Sequence, residues 1–481
     1  VKLCRRLGAA LALLQLANLV GACGPGSAHT PLSPLSATPL DAVPSDMPEV
    51  LPLTMLGLPV METRTLESGL TVVAIQNRSL EECTILFASR GPAIGGRCSQ
   101  AALEVTTAAM ERSLWARTGR DRATGVEDQV THLRGGVLAR WTSGATQLNT
   151  TLAHVRDFFE RMATDDLDYK LSQERLVASG SKRMSPVTLQ AISSVLDIDA
   201  KALASDRKRI AAVSREEVAA CVRAALEPRQ TTLVVSGPRQ PRYMLSAVHE
   251  SLASWTGTSD AEREEVPPGK GFPTHMEAQV FPVESKQAHV VLAFDAPSRS
   301  DPDFMAFEVL KVALADMQSS IANQALRHEQ GLTYGVSGNY ENVHGSAVYL
   351  LTTRIDGDAI NEALRNLLQA VHEVHELKLD PAILTIAQRL VQARTNALLA
   401  DDRALATLAA QFSLDGVAPE AALQGWLDQL ATLNPSILAQ AAQRHFDTRH
   451  AAILITGPIS YLAPRLQWLS LPYTVVDTKT E

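Results

Sequence analysis

Apolar and polar positions along this chain switch between a two-residue and a 3.6-residue period, and the same succession of switches occurs twice. Thr84-Ile85-Leu86-Phe87-Ala88 is a short β-branched and aromatic run that predicts a strand, and Val290-Val291-Leu292-Ala293-Phe294 predicts another. Each leads through a polar loop into helical spacing, with Ala102-Leu103-Glu104-Val105 in the first copy and Ala306-Phe307-Glu308-Val309 in the second. Gly136-Val137 and Gly335-Val336 then each open a predicted strand pair. A helix follows each pair, carried by Val155, Phe158, Phe159 and Met162 and by Ile360, Ala363, Leu364, Leu367 and Val371. Each copy closes on a helix and a strand. Ser214 and Glu217 predict a capping box ahead of Thr232–Pro238, and Asn434-Pro435 opens the helix ahead of Ala452–Pro458.

A repeat this long exceeds the ~20–50 residues of a solenoid unit. It predicts an α+β chain of two tandem homologous domains, each an antiparallel β-sheet with helices packed on one face. The predicted boundaries are a signal over 1–22, a proline-rich tether over 23–59, a first domain over 60–250, a linker over 251–275 and a second domain over 276–475. The linker is read from Ser254 to His275, where Gly257, Pro267, Pro268, Gly269 and Gly271 accompany a charge cluster.

Composition narrows the partners. The chain has 481 residues, enough for two domains, and 46% hydrophobic residues, enough to fill their cores. A net charge of −8 with no long basic run argues against nucleic acid. Lys2, Arg5 and Arg6 precede the apolar run Leu7 to Ala22, the pattern of a secretory signal. Val20-Gly21-Ala22-Cys23 resembles a bacterial lipobox, which implies lipidation of Cys23 and a place in the cell envelope, at the outer membrane facing the periplasm. A plain secretory signal with an incidental Cys23 is the alternative. An oxidising compartment permits a Cys83–Cys98 bridge, although isolated thiols such as Cys83, Cys98 and Cys221 are more often buried apolar residues.

The second half carries Leu326-Arg327-His328-Glu329-Gln330-Gly331-Leu332-Thr333-Tyr334, downstream of Ala296-Pro297-Ser298 and Asp301-Pro302-Asp303. This stretch resembles the C-terminal domain of the M16 (insulinase, pitrilysin-like) metallopeptidase family. Residues from about Leu66 to Gly237 resemble the N-terminal domain of that family more weakly. The resemblance implies the family's half-shell fold, with a zinc motif HxxEH on an N-terminal-domain helix and a further Glu as third ligand. Here the matching positions hold Ala108, Glu111 and Arg112, and Ser181 stands where the third ligand is expected. A methyl group, a guanidinium and a hydroxyl replace the donors, and an Arg stays charged and repels a dication. The reading is therefore no metal and no cofactor in this chain.

The resemblance also implies that Arg327 and Tyr334 grip a substrate carbonyl and its developing oxyanion. Some members of the family divide the labour between an HxxEH chain and a chain that keeps only Arg and Tyr, and this sequence has the second pattern. The implied partners are an HxxEH-bearing M16 subunit that holds the zinc, an extended peptide substrate, and a membrane through the lipid anchor. Two alternatives stand beside it: an M16-derived scaffold or peptide-binding lipoprotein, and a zinc peptidase with a rearranged site around Glu111 and His132 or His154. His372-Glu373-Val374-His375-Glu376 is read as a solvated helix face, and Val336-Ser337-Gly338 lacks the spacing of a serine-hydrolase turn.

Overall fold

A computed structural model describes residues 54–77, 81–90, 98–117, 127–133, 136–164, 169–179, 185–255, 277–328, 331–343 and 346–476. The signal and most of the tether and linker lie outside the described residues. The strand runs form two six-stranded sheets. The first contains β1 (Val60–Thr65), β2 (Thr71–Gln76), β3 (Glu82–Arg90), β4 (Glu127–Leu133), β5 (Gly136–Gly144) and β6 (Thr231–Gly237), in the order β1-β2-β6-β3-β5-β4. The second contains β7 (Ala278–Pro282), β8 (Gln287–Ala296), β9 (Thr333–Val343), β10 (Ser346–Asp356), β11 (Ala452–Gly457) and β12 (Tyr473–Val475), in the order β12-β7-β11-β8-β10-β9. β2-β6-β3-β5-β4 and β7-β11-β8-β10-β9 follow one plan, while β1 and β12 come from opposite ends of the chain.

Four expectations need correction. The sheets are mixed rather than antiparallel: β2 pairs parallel with β6, and β7 pairs parallel with β11 and with β12. A parallel pair requires a long crossover, which the intervening strands and helices of each half supply. The strand pairs open at Glu127 and Thr333, so Gly136 begins the second strand of its pair while Gly335 lies inside the first of its own. Two dipeptides are too little sequence to fix a register. The disulfide joins Cys98 to Cys221, and Cys83 is a free, buried thiol. The Gln100–Arg117 and Arg215–Ala225 helices pack side by side and bring Cys98 and Cys221 to a Cα separation of 5.1 Å.

Helices cover both faces of each sheet, not one. Alternate residues of the first sheet enter different cores. Val72, Ala74, Ile85, Phe87, Ala139, Trp141, Leu233 and Val235 pack with that half's own helices, including Val155, Phe158 and Phe159. Val73, Ile75, Leu86, Ala88, Leu138 and Val234 point the other way, into the core of the second half. There they meet the Asp402–Leu414 helix, which packs on β3 and β6. The exchange is reciprocal. The first-half helix Pro186–Leu196 lays Val187, Ala191, Ile192, Val195 and Leu196 on the outer face of the second sheet, against Val291, Ala293, Val348, Leu350 and Leu454. Burial on both faces explains why these strands read as continuous apolar runs rather than alternating ones. A further tie comes from the end of the tether: Leu56 N–H donates to Asn396 Oδ1 and Asn396 Nδ2 donates to Thr54 O, both at 2.9 Å.

The helix-start signals act as read. Ser214 and Glu217 form a reciprocal capping box, and Asn434 accepts from the Ser436 and Ile437 amides ahead of Pro435.

Candidate functional site

The Arg327 and Tyr334 segment is built by two local devices. The first ends a helix. Gln324–His328 forms a π-helical turn. Beyond it, Gly331 N–H donates to Arg327 O at 3.1 Å and Leu332 N–H donates to Leu326 O at 2.8 Å. These bonds, spanning four and six residues, close the helix end, and Gly331 at φ +64° occupies a left-handed position that suits glycine. The Gly of the RxxxGLxY pattern is thereby explained: it stops the helix one turn past Arg327 and starts β9.

The second device is a bulge. Val336 stands opposite Thr353 and Thr333 opposite Ile355, so Tyr334 and Gly335 together face the single residue Arg354. A bulge re-aims side chains. Val336 is buried, and strict alternation would send Tyr334 to the same face. Instead Tyr334 is 90% exposed. Thr333 holds the strand below the bulge, its hydroxyl 2.9 Å from Thr353 Oγ1 and donating to Arg354 O at 2.7 Å. Arg327 is also exposed. Tyr334 is thus no core residue, and both hydrogen-bonding groups reach solvent from the two ends of one short connection.

Sequence reasoning missed the residue that fixes this connection. Asn323 is buried one turn before Arg327. Its Oδ1 accepts the Val336 N–H at 2.8 Å, and its Nδ2 lies 3.1–3.3 Å from Ala315 O, Met317 O, Ser320 Oγ and Val336 O. One amide therefore ties the end of a second π-helical turn, Val312–Asp316, and the Arg327-bearing turn to β9. The available signal was an Asn inside the apolar stretch Ile321-Ala322-Asn323, where an unsatisfied amide would be costly. Gly338 has an equally local cause: a Cβ there would collide with the buried ring of Tyr349.

The degenerate zinc-motif positions lie on the Gln100–Arg117 helix, which packs beside β4. Ala108, Glu111 and Arg112 are half-buried. Burial holds the Glu111 carboxyl above its ordinary pKa. These residues do not fit a zinc ion. One carboxylate remains, its neighbours offer a methyl and a cation, and among the described residues no three His, Cys, Asp or Glu side chains gather into a metal-binding group. Ser181 and the side chain of His132 lie outside the described residues; His154 is half-buried on the Leu148–Thr164 helix. His372 and His375 stack at 6.3 Å between ring centroids on the Ile360–His375 helix, with His375 Nε2 3.8 Å from Glu376. Cys23 precedes the described residues, which contain no helix long and apolar enough to cross a membrane.

Comparison with known proteins follows this geometry. The peptidase M16 inactive domain matches residues 212–391, a stretch that includes β9 and the whole Arg327 and Tyr334 connection. No curated protein matches the chain. A protease from Helicobacter pylori superposes with a TM-score of 0.71 at 13% identity, covering 84% of this chain and 100% of that one. A peptidase M16 inactive domain from Pseudomonas fluorescens gives 0.67 at 15% identity, covering 83% and 98%. A chain of complex III from Candida albicans gives 0.66 at 13% identity, covering 83% and 97%. At these identities the structures establish the fold, and the family match reaches the second half. Residues 212–391 are thus similar to the peptidase M16 inactive domain, and the chain shares its fold, across both sheets, with these solved structures.

Proposed function

We propose that this chain is the non-catalytic member of a two-chain zinc peptidase, a duplicated half-shell that closes over a partner carrying HxxEH. Arg327 and Tyr334 contact the substrate. The guanidinium offers a fork of donors and the phenol a single hydroxyl, a set that stabilises charge building on one carbonyl oxygen of an extended peptide. The metal and the general base belong to the partner, because Ala108 and Arg112 cannot replace two ligands. One observation carries the reading: the helix end closed at Gly331 and the bulge together turn an Arg and a Tyr outward from a connection otherwise pinned by buried bonds. The resemblance of Val20-Gly21-Ala22-Cys23 to a lipobox supports a site in the cell envelope for this assembly, with the proline-rich segment as its tether.

The test is affinity purification of the chain from its native membrane. The proposal expects a co-purifying HxxEH chain and zinc-dependent peptidase activity in the eluate. Activity that follows the isolated chain, or purification with no such partner, counts against it. A scaffold role is the second reading, favoured by the fold shared with a chain of complex III from Candida albicans.

A further inference from the structure

Four ionisable side chains meet beside the Arg327 and Tyr334 connection without belonging to it. The Phe304–Lys311 helix runs on into the π-helical turn Val312–Asp316, which packs on β9 and on the Pro381–Ala400 helix. Lys311 is buried, and its Nζ lies 2.8 Å from Glu308 Oε1 and 3.8 Å from Asp316 Oδ2. Arg394, on the Pro381–Ala400 helix, donates to the same Asp316 Oδ2 at 3.4 Å. The Asp316 side chain is 13% exposed and that of Arg394 47%. Asp316 thus clamps the end of the turn between a buried ammonium and a guanidinium at the surface.

Two features set this carboxylate apart from an ordinary stabilising ion pair. The first is its place. Asn323 Nδ2 donates to the carbonyls of Ala315 and Met317, on either side of Asp316, at 3.2 and 3.1 Å, while Asn323 Oδ1 accepts the Val336 amide. Whatever fixes Asp316 therefore fixes the carbonyls that orient Asn323, and through it β9 and Arg327. π-Helical turns are rare and gather at functional sites, and here one lies on each side of Asn323. The second is its charge. Burial holds the Asp316 carboxyl above its ordinary pKa in spite of Lys311 and Arg394, with Glu308 opposing them. The fold disfavours this charge relative to the unfolded chain, so net stability does not account for it.

We infer that Asp316 is a positioning residue: held by Lys311 and Arg394, it sets, through Asn323, the placement of Arg327 against Tyr334. Its effect on hydrolysis rests on the function proposed above; the placement itself does not.

The test compares Asp316→Asn with the parent, first in the purified full chain. The substitution keeps the shape of the side chain and leaves Lys311 paired with Glu308, so no buried cation is stranded. The urea midpoint should hold or rise. Hydrogen exchange at Val336 should nonetheless quicken about tenfold, as loss of a charged contact implies, while Leu292 in the central strand β8 stays as protected as before. Arg394→Met should quicken the same amide, and Arg394→Lys should restore its protection. In the co-purified assembly, kcat of Asp316→Asn should fall about tenfold at an unchanged KM, because the grip is on developing charge. Unchanged exchange at Val336, or a quickening shared equally by Leu292, overturns the inference. So does an undiminished kcat in Asp316→Asn where Arg327→Ala lowers it. If Arg327→Ala also leaves kcat undiminished, the proposed function falls, and exchange at Val336 alone decides the placement.

Discussion

Asn323 holds Val336 by both sides of its peptide: Oδ1 accepts the Val336 N–H at 2.8 Å, and Nδ2 lies 3.3 Å from the Val336 carbonyl. Val336 is two residues past Tyr334, and Asn323 is four before Arg327. The amide therefore sets how the two exposed groups stand relative to one another. Asn323→Leu keeps the size of the side chain and removes the bonds, leaving the Val336 N–H unpaired in a buried place. The expected loss is about 1–3 kcal/mol of stability, read by urea unfolding. Hydrogen exchange at Val336 should rise with it, whereas an unchanged midpoint and unchanged protection would mean that the amide is dispensable.

The exchanged helices predict an interdependence between the halves. Ile192 is fully buried against the second sheet although it belongs to the first half. Ile192→Ala leaves a cavity there and should cost about 2–5 kcal/mol. The loss should appear as one cooperative transition reported both by Trp141, in the first core, and by Trp426, in the second. Separate transitions at the two tryptophans would argue that the halves unfold independently.

The Cys98–Cys221 bridge closes a loop across 123 positions. Its removal by Cys98→Ser with Cys221→Ser should lower stability by about 2–5 kcal/mol, and dithiothreitol should have the same effect on the parent. Cys83 behaves differently. Burial, with the Asp402 charge nearby, pushes its thiol up to about 12, so iodoacetamide at neutral pH should label the Cys83 peptide only after unfolding. Urea unfolding checks the first statement, and peptide mapping by mass spectrometry the second.

Asp295 gives the pH dependence. Burial, with the neighbouring Asp301 charge second, pushes its carboxyl up to about 6. The folded state then holds the proton more tightly than the unfolded chain does. The contribution is favourable below the unfolded pKa and is lost as pH rises from about 4 through about 6. Asp295→Asn should flatten that part of the stability profile, measured by thermal unfolding at fixed ionic strength. An identical profile in the variant would remove Asp295 as its source.

Much of this architecture is legible from periodicity, because Ile85, Phe87, Val291 and Leu292 sit in short β-branched and aromatic runs and Ser214 and Asn434 are strong helix-start signals. The Arg327, Gly331 and Tyr334 spacing is legible because Gly331 has a local backbone reason to be there. Cys98–Cys221 was not legible: it depends on two helices that meet only after the sheet forms, and nearness in sequence favoured Cys83. The exchange of the Pro186–Leu196 and Asp402–Leu414 helices was hidden for the same reason, since a strand buried on both faces does not say which helix covers it. The bulge at Tyr334 and Gly335 escaped because one extra residue leaves no mark on composition.

The central claim is that Arg327 and Tyr334 act on a substrate held with a zinc-bearing partner. Its most direct test is steady-state peptide hydrolysis by the co-purified assembly carrying Arg327→Ala or Tyr334→Phe, with assembly and zinc content verified. The account predicts that kcat falls by roughly a hundredfold or more for Arg327→Ala, as for other oxyanion donors, while the partner and its zinc stay bound. Undiminished kcat in both variants would contradict it.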